Sequence, residues 1–375
     1  MNDVLFEKFR TGVRIPPGPY LLLKGVKMSD EFDMEFDFVE AYDDEPAEDD
    51  GRLLPENEPI SALNVGFIGV GGGGGKLAKA FLDLGFHKTL LVNTTEKDQP
   101  ADTDENHFVL IPGADGVGKD VEMGKRILSE NSTLVEDAVR TRLGRVDWLF
   151  VFAGGGGGTG SASPVLGNAL TRYLESIESD GKVVFIVSKP TAQELLNPTI
   201  KQNYNSIVSD IKDSPHMIID NERQLQLLRG KVGVSGMYPT ANRNFAKMVA
   251  QVLKLADTHS EIQTFDSKDL EKTFSTPGRM VLGSAVLRDP EVNDLGSAIF
   301  QGCLKGSPCT TFEGSPQDGV LLLVLNDEMA DSPTVSSNIE AAFSYVGGRS
   351  KRLFSGIYVN NGVPGLVAIS LFAGL

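Results

Sequence analysis

Two runs of glycine, each placed directly after a short apolar stretch, constrain this chain more than anything else in its 375 residues. The first reads Gly69-Val70-Gly71-Gly72-Gly73-Gly74-Gly75-Lys76. The second reads Gly154-Gly155-Gly156-Gly157-Gly158-Thr159-Gly160-Ser161. Each glycine in regular structure costs about 0.5–1 kcal/mol relative to alanine, so two runs of five could cost roughly 5–10 kcal/mol as an upper bound. A fold keeps such a cost for a reason. Only a backbone free of side chains can wrap closely around a polyphosphate, aiming successive N–H groups and a helix N-terminus at its charge. Hydrogen bonds to charged groups contribute about 1.5–3 kcal/mol each, so several such amides offset the strain. Flexible linkers would not abut apolar strands, as both runs do.

The surrounding pattern alternates strands and helices. Asn64 to Gly69, Thr89 to Asn93, Trp148 to Ala153 and Val183 to Val187 read as strands, with helical periodicity over Lys76 to Leu84 and Pro164 to Ile177. That alternation predicts a doubly wound parallel sheet. A long amphipathic pattern from Thr240 to Leu255 predicts a helix linking this half to a second one. There Met280 to Val286, Val320 to Leu325, Arg352 to Val359 and Gly365 to Phe372 read as strands and Ser336 to Tyr345 as a helix, so the second half is mixed α/β. The expected division is 1–62 as leader and acidic tail, 63–238 as nucleotide-binding domain, 239–262 as linking helix and 263–375 as C-terminal domain.

Residues 1–27 differ in character from the rest. Val13-Arg14-Ile15-Pro16 is what GUU-CGA-AUC-CC would encode, a common T-arm sequence of transfer RNA genes. The natural start is therefore expected at Met28, a genuine leader being the alternative. Between residues 28 and 50, twelve Asp or Glu interleave with Phe32, Phe36, Phe38 and Tyr42, which reads as a solvated acidic tail, either a spacer or a segment that binds an adaptor protein. A net charge of −16 argues against direct contact with nucleic acid or anionic lipid. No apolar run approaches the roughly 20 residues of a membrane helix and no signal sequence is visible, so the expected location is the cytoplasm. Cys303 and Cys309 form no CxxC pair, the four histidines are scattered, and no protein-held metal site is expected.

Common nucleotide motifs fit poorly. A Walker loop requires glycine where Val70 stands and Ser or Thr where Leu77 stands. A dinucleotide fingerprint can be laid on Gly69, Gly71 and Gly74, yet the next strand ends in Asn93-Thr94-Thr95 where a ribose-binding acid is needed. It also leaves the second run unexplained.

The second run, followed by Pro164-Val165, closely resembles the GGGTG[ST]G signature of the tubulin/FtsZ superfamily, and the resemblance continues in order from about residue 64 to the C-terminus. The first run is similar to that family's phosphate loop, with Lys76 in place of an Asn. Val92-Asn93-Thr94 resembles its VNTD loop, and Gly118 to Lys125 the segment beside the γ-phosphate. The resemblance implies GTP as ligand with Mg²⁺, held by Gly71, Gly72, Gly73, Gly74, Gly75, Lys76, Asn93, Gly156, Gly157, Gly158, Thr159, Gly160 and Ser161. It implies that Glu194, after Ser188-Lys189-Pro190, bonds the ribose, and that Asn221 in Asp220-Asn221-Glu222 contacts guanine. Asn244, 22 residues before Asp266, matches the family's second base reader, with Asn242 as an alternative if the helix is shifted.

Thr264 to Leu270 resembles the family's synergy loop. By that resemblance Asp266 and Asp269 complete the pocket of a neighbouring subunit, so the chain is expected to be a GTPase that assembles head to tail with itself. Read bare, two acids three apart at a helix start are more often a solvated cap. Several positions depart from the family pattern. Ala162 replaces a glycine and the stretch to Pro164 is one residue short; Thr264 replaces an Asn and Pro198 an Arg. The long linker and terminal peptide of FtsZ are missing, which turns expectation from a classical division role toward a plasmid- or phage-type tubulin. A filament protein with little turnover, used in plasmid or phage DNA positioning, is the second reading, and an NAD-dependent oxidoreductase the third.

Overall fold

The computed structural model describes residues 59–375 with the exception of Asn293. The readings of residues 1–27 and 28–50 lie outside the described residues. In chain order the elements are β1 (Val65–Val70), α1 (Gly71–Leu82), β2 (Thr89–Asn93), β3 (Phe108–Leu110), α2 (Val121–Glu130), α3 (Ser132–Ala138), β4 (Trp148–Gly154), α4 (Gly158–Ser161), α5 (Gly167–Ser176), β5 (Val183–Lys189), α6 (Pro198–Ile211) and β6 (Pro215–Asp220). They continue with α7 (Asn221–Leu228), α8 (Met237–Leu255), α9 (Ser267–Ser275), β7 (Gly278–Leu287), α10 (Leu295–Gly306), β8 (Asp318–Leu325), α11 (Asp327–Ala330), α12 (Pro333–Gly347), β9 (Arg352–Val359) and β10 (Leu366–Ala373).

The first six strands are parallel in the order β3-β2-β1-β4-β5-β6, a doubly wound arrangement whose winding direction reverses between β1 and β4. Their side chains alternate between two buried faces, which is why the strands read as unbroken apolar runs rather than as alternation. Phe67, Phe150 and Phe152 face α1, α8 and α9, where Phe67 stacks on Phe81 at 4.5 Å, Phe81 on Phe152 at 5.0 Å, and Phe274 meets Phe150 edge-on at 5.2 Å. Ile68, Leu149 and Val151 face the other way, onto Leu128, Leu170, Tyr173 and Ile207 from α2, α5 and α6.

The sheet does not stop at β6. Pro215 to Met217 pair in parallel with Gly278 to Met280, and β10, β8 and β9 follow, making ten strands in one continuous order. The last four mix parallel and antiparallel pairing, with α10 and α12 covering one face through Ile299, Phe300, Ile339 and Val346. The helix α8 runs from Met237 to Leu255 with Phe245, Met248, Val249 and Val252 turned into the core. It is the long central helix that the periodicity from Thr240 onward predicts, begun three residues earlier.

Two differences from the sequence expectation bear on the site. Helix α1 starts at Gly71 rather than Lys76, so the first glycine run forms its opening turns. Helix α6, which no periodicity announced, stands beside the second run, and strand β6, equally unannounced, pairs with β5 one strand beyond it.

Candidate functional site

Because β1 and β4 are adjacent and parallel, the two glycine runs leave the sheet side by side at its carboxyl edge, at the point where the winding reverses. Open α/β sheets bind ligands in that crevice. The runs touch through bare backbone. A Cβ on Gly71, whose φ is +70°, would lie 2.9 Å from Gly160 N, and one on Gly73 would lie 3.2 Å from Gly154 Cα. One on Gly160 would meet Gly154 O at 2.7 Å. Two helix N-termini, those of α1 and α4, thus open on the same crevice, each started without a side-chain cap. Gly73, Lys76 and Gly157 are exposed, whereas Gly71, Gly74, Gly75, Gly158, Thr159, Gly160 and Ser161 are buried and Gly72 and Gly156 half-buried.

The neighbouring loops are tied to this edge. Asn93, at the end of β2 and buried, accepts from Thr94 N at 2.8 Å, and the Thr94 hydroxyl lies 3.0 Å from that of Thr159. Gly158 N donates to Gly118 O at 2.9 Å, joining the second run to the segment that leads into α2. Asn203, buried on α6, donates to Lys119 O at 2.9 Å and to Gly156 O at 3.3 Å. Thr94 lies in the VNTD-like stretch with no role of its own assigned there, and Asn203 lies outside every motif. The available signal for Asn203 is the spacing Ile200, Asn203, Tyr204, which puts all three on one helical face.

Glu194 lies exposed past the end of β5, its carboxylate accepting from Thr191 N and Oγ1, both at 2.8 Å. Asn221 is the first residue of α7, half-buried, beside Asp220, which caps that helix and pairs with Lys189 at 2.7 Å. The two asparagines of α8 part company. Asn244 lines a small cavity with Gln224, Leu228, Phe245, Gly306 and Pro308. Asn242 shares a face with Tyr238, four residues earlier. Burial, and then the charges of Glu194 and Glu222, hold the Tyr238 phenol above its ordinary pKa, so both carboxylates lie within electrostatic reach of Tyr238. Helix α7 is also fastened to the C-terminal half. Arg223 donates to Ser307 O at 2.6 Å, to Lys305 O at 3.1 Å and to Leu304 O, the carbonyls at the end of α10.

Asp266 and Asp269 are elsewhere. Asp266 caps α9 by accepting from Lys268 N at 2.8 Å, and Asp269 follows in its first turn. Buried Phe265 anchors the loop, its N–H donating to the Tyr358 hydroxyl at 3.0 Å, which in turn donates to Leu255 O at 2.7 Å. Phe274 of α9 packs on Trp148 and Phe150, and Lys268 lies within reach of the Asp180 charge ahead of β5. The acids therefore sit at the amino edge of the strands. Trp148 and Gly154 are six strand steps apart, about 20 Å at roughly 3.3 Å per step. Burial, and then the Asp266 charge, raise Asp269 above the usual carboxylate range, with Lys272 pulling it back.

The cradle of bare amides fits a polyphosphate. Among the described residues there is no group of three or more acids, histidines or cysteines able to hold a metal ion, so Mg²⁺ would depend chiefly on the phosphates and water for its ligands. No helix of the described residues is long and apolar enough to cross a membrane.

No family model matches the chain. It is 27% identical over 247 residues to the tubulin-like protein CetZ4 of Haloferax volcanii, covering 60% of this chain and 59% of that protein. It is 25% identical over 244 residues to the cell division protein FtsZ of Buchnera aphidicola, covering 62% and 60%. The match thus spans about 60% of the length of these curated relatives. The fold is shared with a GTPγS-form protofilament of TubZ from Bacillus thuringiensis serovar israelensis, with a TM-score of 0.68 at 18% identity over 84% of this chain and 89% of that one. With the paired glycine runs at the switch point, these likenesses identify the chain as a member of the tubulin/FtsZ superfamily.

Proposed function

We propose that the protein binds GTP at the paired glycine runs, stacks head to tail with copies of itself, and hydrolyses GTP when the acid loop of one subunit closes the pocket of the next. The observation that carries this reading is the separation of the two sets of residues. The glycine runs occupy the carboxyl edge of the sheet and Asp266 and Asp269 the opposite edge, so one chain cannot bring them together. A contact between unlike surfaces does not close on itself and gives an open filament. In this reading the amides of Gly72 to Lys76 and Gly156 to Ser161 hold the phosphates, Glu194 the ribose and Asn221 the base, with residues 63–238 as the binding domain. Of the two helix α8 asparagines, we assign the second base contact to Asn242, whose face carries Tyr238, ahead of Asn244. An amide oxygen there accepts from the N1–H and N2–H₂ edge of guanine, which adenine lacks.

Mg²⁺ bound to the phosphates neutralises their charge. The chain's own residues do the rest: amides fix the γ-phosphoryl group and the neighbour's acids orient and polarise the attacking water. The raised pKa of Asp269 accords with a carboxylate held partly desolvated for use at an interface.

The test is phosphate release and light scattering across protein concentration. Turnover per subunit should rise steeply with concentration and vanish for monomers. Asp269→Ala should bind GTP and form filaments with slow turnover. Mixing it with a variant damaged only in the second glycine run should restore part of the activity. Equal turnover per subunit at all concentrations would rule out the shared site and leave a nucleotide-binding filament protein.

A further inference from the structure

Asn203 is a polar side chain 5% exposed on a helix otherwise packed through Ile207 and Ile211, and it spends both N–H bonds of its amide on carbonyls of the phosphate-side loops. Its neighbours on the same helical face press on the same run. A Cβ on Gly155 would lie 2.8 Å from Tyr204 Cδ2, and one on Gly156 would lie 3.1 Å from Ile200 Cγ2. Helix α6 is thus the outer wall of the second run, and Asn203 is its one amide at that wall among Ile200, Asn203 and Tyr204.

The consequence follows from peptide geometry. In a planar trans peptide the C=O and N–H point in opposite directions. Holding Gly156 O on Asn203 therefore turns the N–H of Gly157, in the same peptide plane, away from α6 and toward the open side of the crevice. Gly157 is exposed, a Cβ there would meet nothing within 4 Å, and among the described residues its N–H reaches no acceptor. A glycine–glycine peptide is the one most free to flip, and a flip would present the carbonyl dipole to an anion. The second bond of Asn203, to Lys119 O, fixes the α2 entry segment in the same frame, where Gly158 N already holds Gly118 O at 2.9 Å.

We infer that Asn203 is a positioning residue for the phosphate site: it locks the Gly156–Gly157 peptide with its N–H facing the polyphosphate and sets the second run against the α2 entry segment. This rests on the proposed GTP site and says which residue outside the motifs makes that site competent. Asn203 touches no phosphate itself.

The experiment compares GTP and guanosine affinities for the full chain, Asn203→Ala and Asn203→Leu, by calorimetric titration, with thermal unfolding of each protein alongside. Leu keeps the size of the side chain, loses both donors and adds no charge, so neither a cavity nor repulsion of the phosphates explains its effect. GTP affinity should fall about tenfold or more in both variants, the loss expected for a misdirected charge-assisted bond, while guanosine affinity stays within twofold. Asn205→Ala, at an exposed asparagine of the same helix, should bind GTP normally. GTP affinity unchanged in the Leu variant, or guanosine affinity falling in parallel with GTP, would overturn the inference. Failure of the unaltered chain to bind GTP would instead refute the proposed function. Should Asn203→Ala not fold, the Leu variant decides alone.

Discussion

The two glycine runs look alike in sequence and are built on opposite principles. The first is supported from within. Gly71 to Lys76 are the opening turns of α1, and a Cβ on Gly74 would stand 2.2 Å from Phe152 O while one on Gly69, in β1, would stand 2.5 Å from Gly74 O. Glycine here is demanded by the approach of the helix to β4. The second is supported from outside, by Asn203, Tyr204 and Ile200 on α6, by Gly118 O, and by the hydroxyl of Thr94 on Thr159. Its glycines leave room for those supports. Damage to the first run should therefore appear in stability and damage to the second in binding.

Gly74→Ala is the most severe way to test this. Alanine normally favours a helix over glycine, yet here the methyl group runs into a backbone carbonyl that cannot swing aside. A loss of more than about 3 kcal/mol in urea unfolding is expected. A stability within 1 kcal/mol of the parent would show that α1 is free to move off β4.

Gly158→Val should separate the two properties. Its Cβ would meet Val117 Cγ2 at 2.8 Å and the carbonyls of Asp120 and Gly118 at 2.9 Å. The 117–120 segment is a surface loop and can yield, so unfolding should shift by roughly 1–2 kcal/mol. Nucleotide binding should be weakened far more, by at least about thirtyfold, since the amides are no longer aligned. A calorimetric titration that finds native affinity would break the contrast.

Thr159→Ala removes a buried hydroxyl and leaves that of Thr94 without its partner. About 1 kcal/mol of stability should go, and GTP binding should weaken several-fold. The smallest effect has the opposite sign. Gly75 is within α1 and an added Cβ meets nothing within 4 Å, so Gly75→Ala should stabilise the protein by about 0.5–1 kcal/mol. Two adjacent glycines in one run would then respond in opposite directions to the same substitution. A destabilised Gly75→Ala would mean that space beside α1 is already committed.

The strands flanking both runs were legible because each is a short apolar stretch ended by glycine, and α8 because Phe245, Met248, Val249 and Val252 repeat at helical spacing. What escaped was structure whose cause lies at a distance. Pro215 to Asp220 begins with a proline and a buried histidine and reads poorly as a strand, yet it is held between β5 and β7. Helix α1 starts five residues before its periodicity does because five glycines have no helical preference of their own; packing against β4 imposes the helix. The side-chain ties of Thr94 and Asn203 join residues 65 and 47–84 positions apart, and no local pattern can carry such pairings. Which of Asn242 and Asn244 meets the base depends on which face of α8 looks toward Glu194, a matter of rotation rather than spacing.

The placement of cradle and acids on opposite edges has a consequence for any stack of these subunits. A row of n molecules contains one fewer composite pocket than it has members, and the one left over is always at the same end. There the cradle stands open with no acids over it, while the far end offers acids with nothing to act upon. The ends of the row are thus chemically distinct before any partner arrives. Under the proposed shared site, the terminal nucleotide at the open end would outlive those behind it, and each arriving molecule would start the clock on the one it covers. A subunit's age in the row would then be written in its phosphates, with an ordering that needs no component beyond the geometry of a single chain.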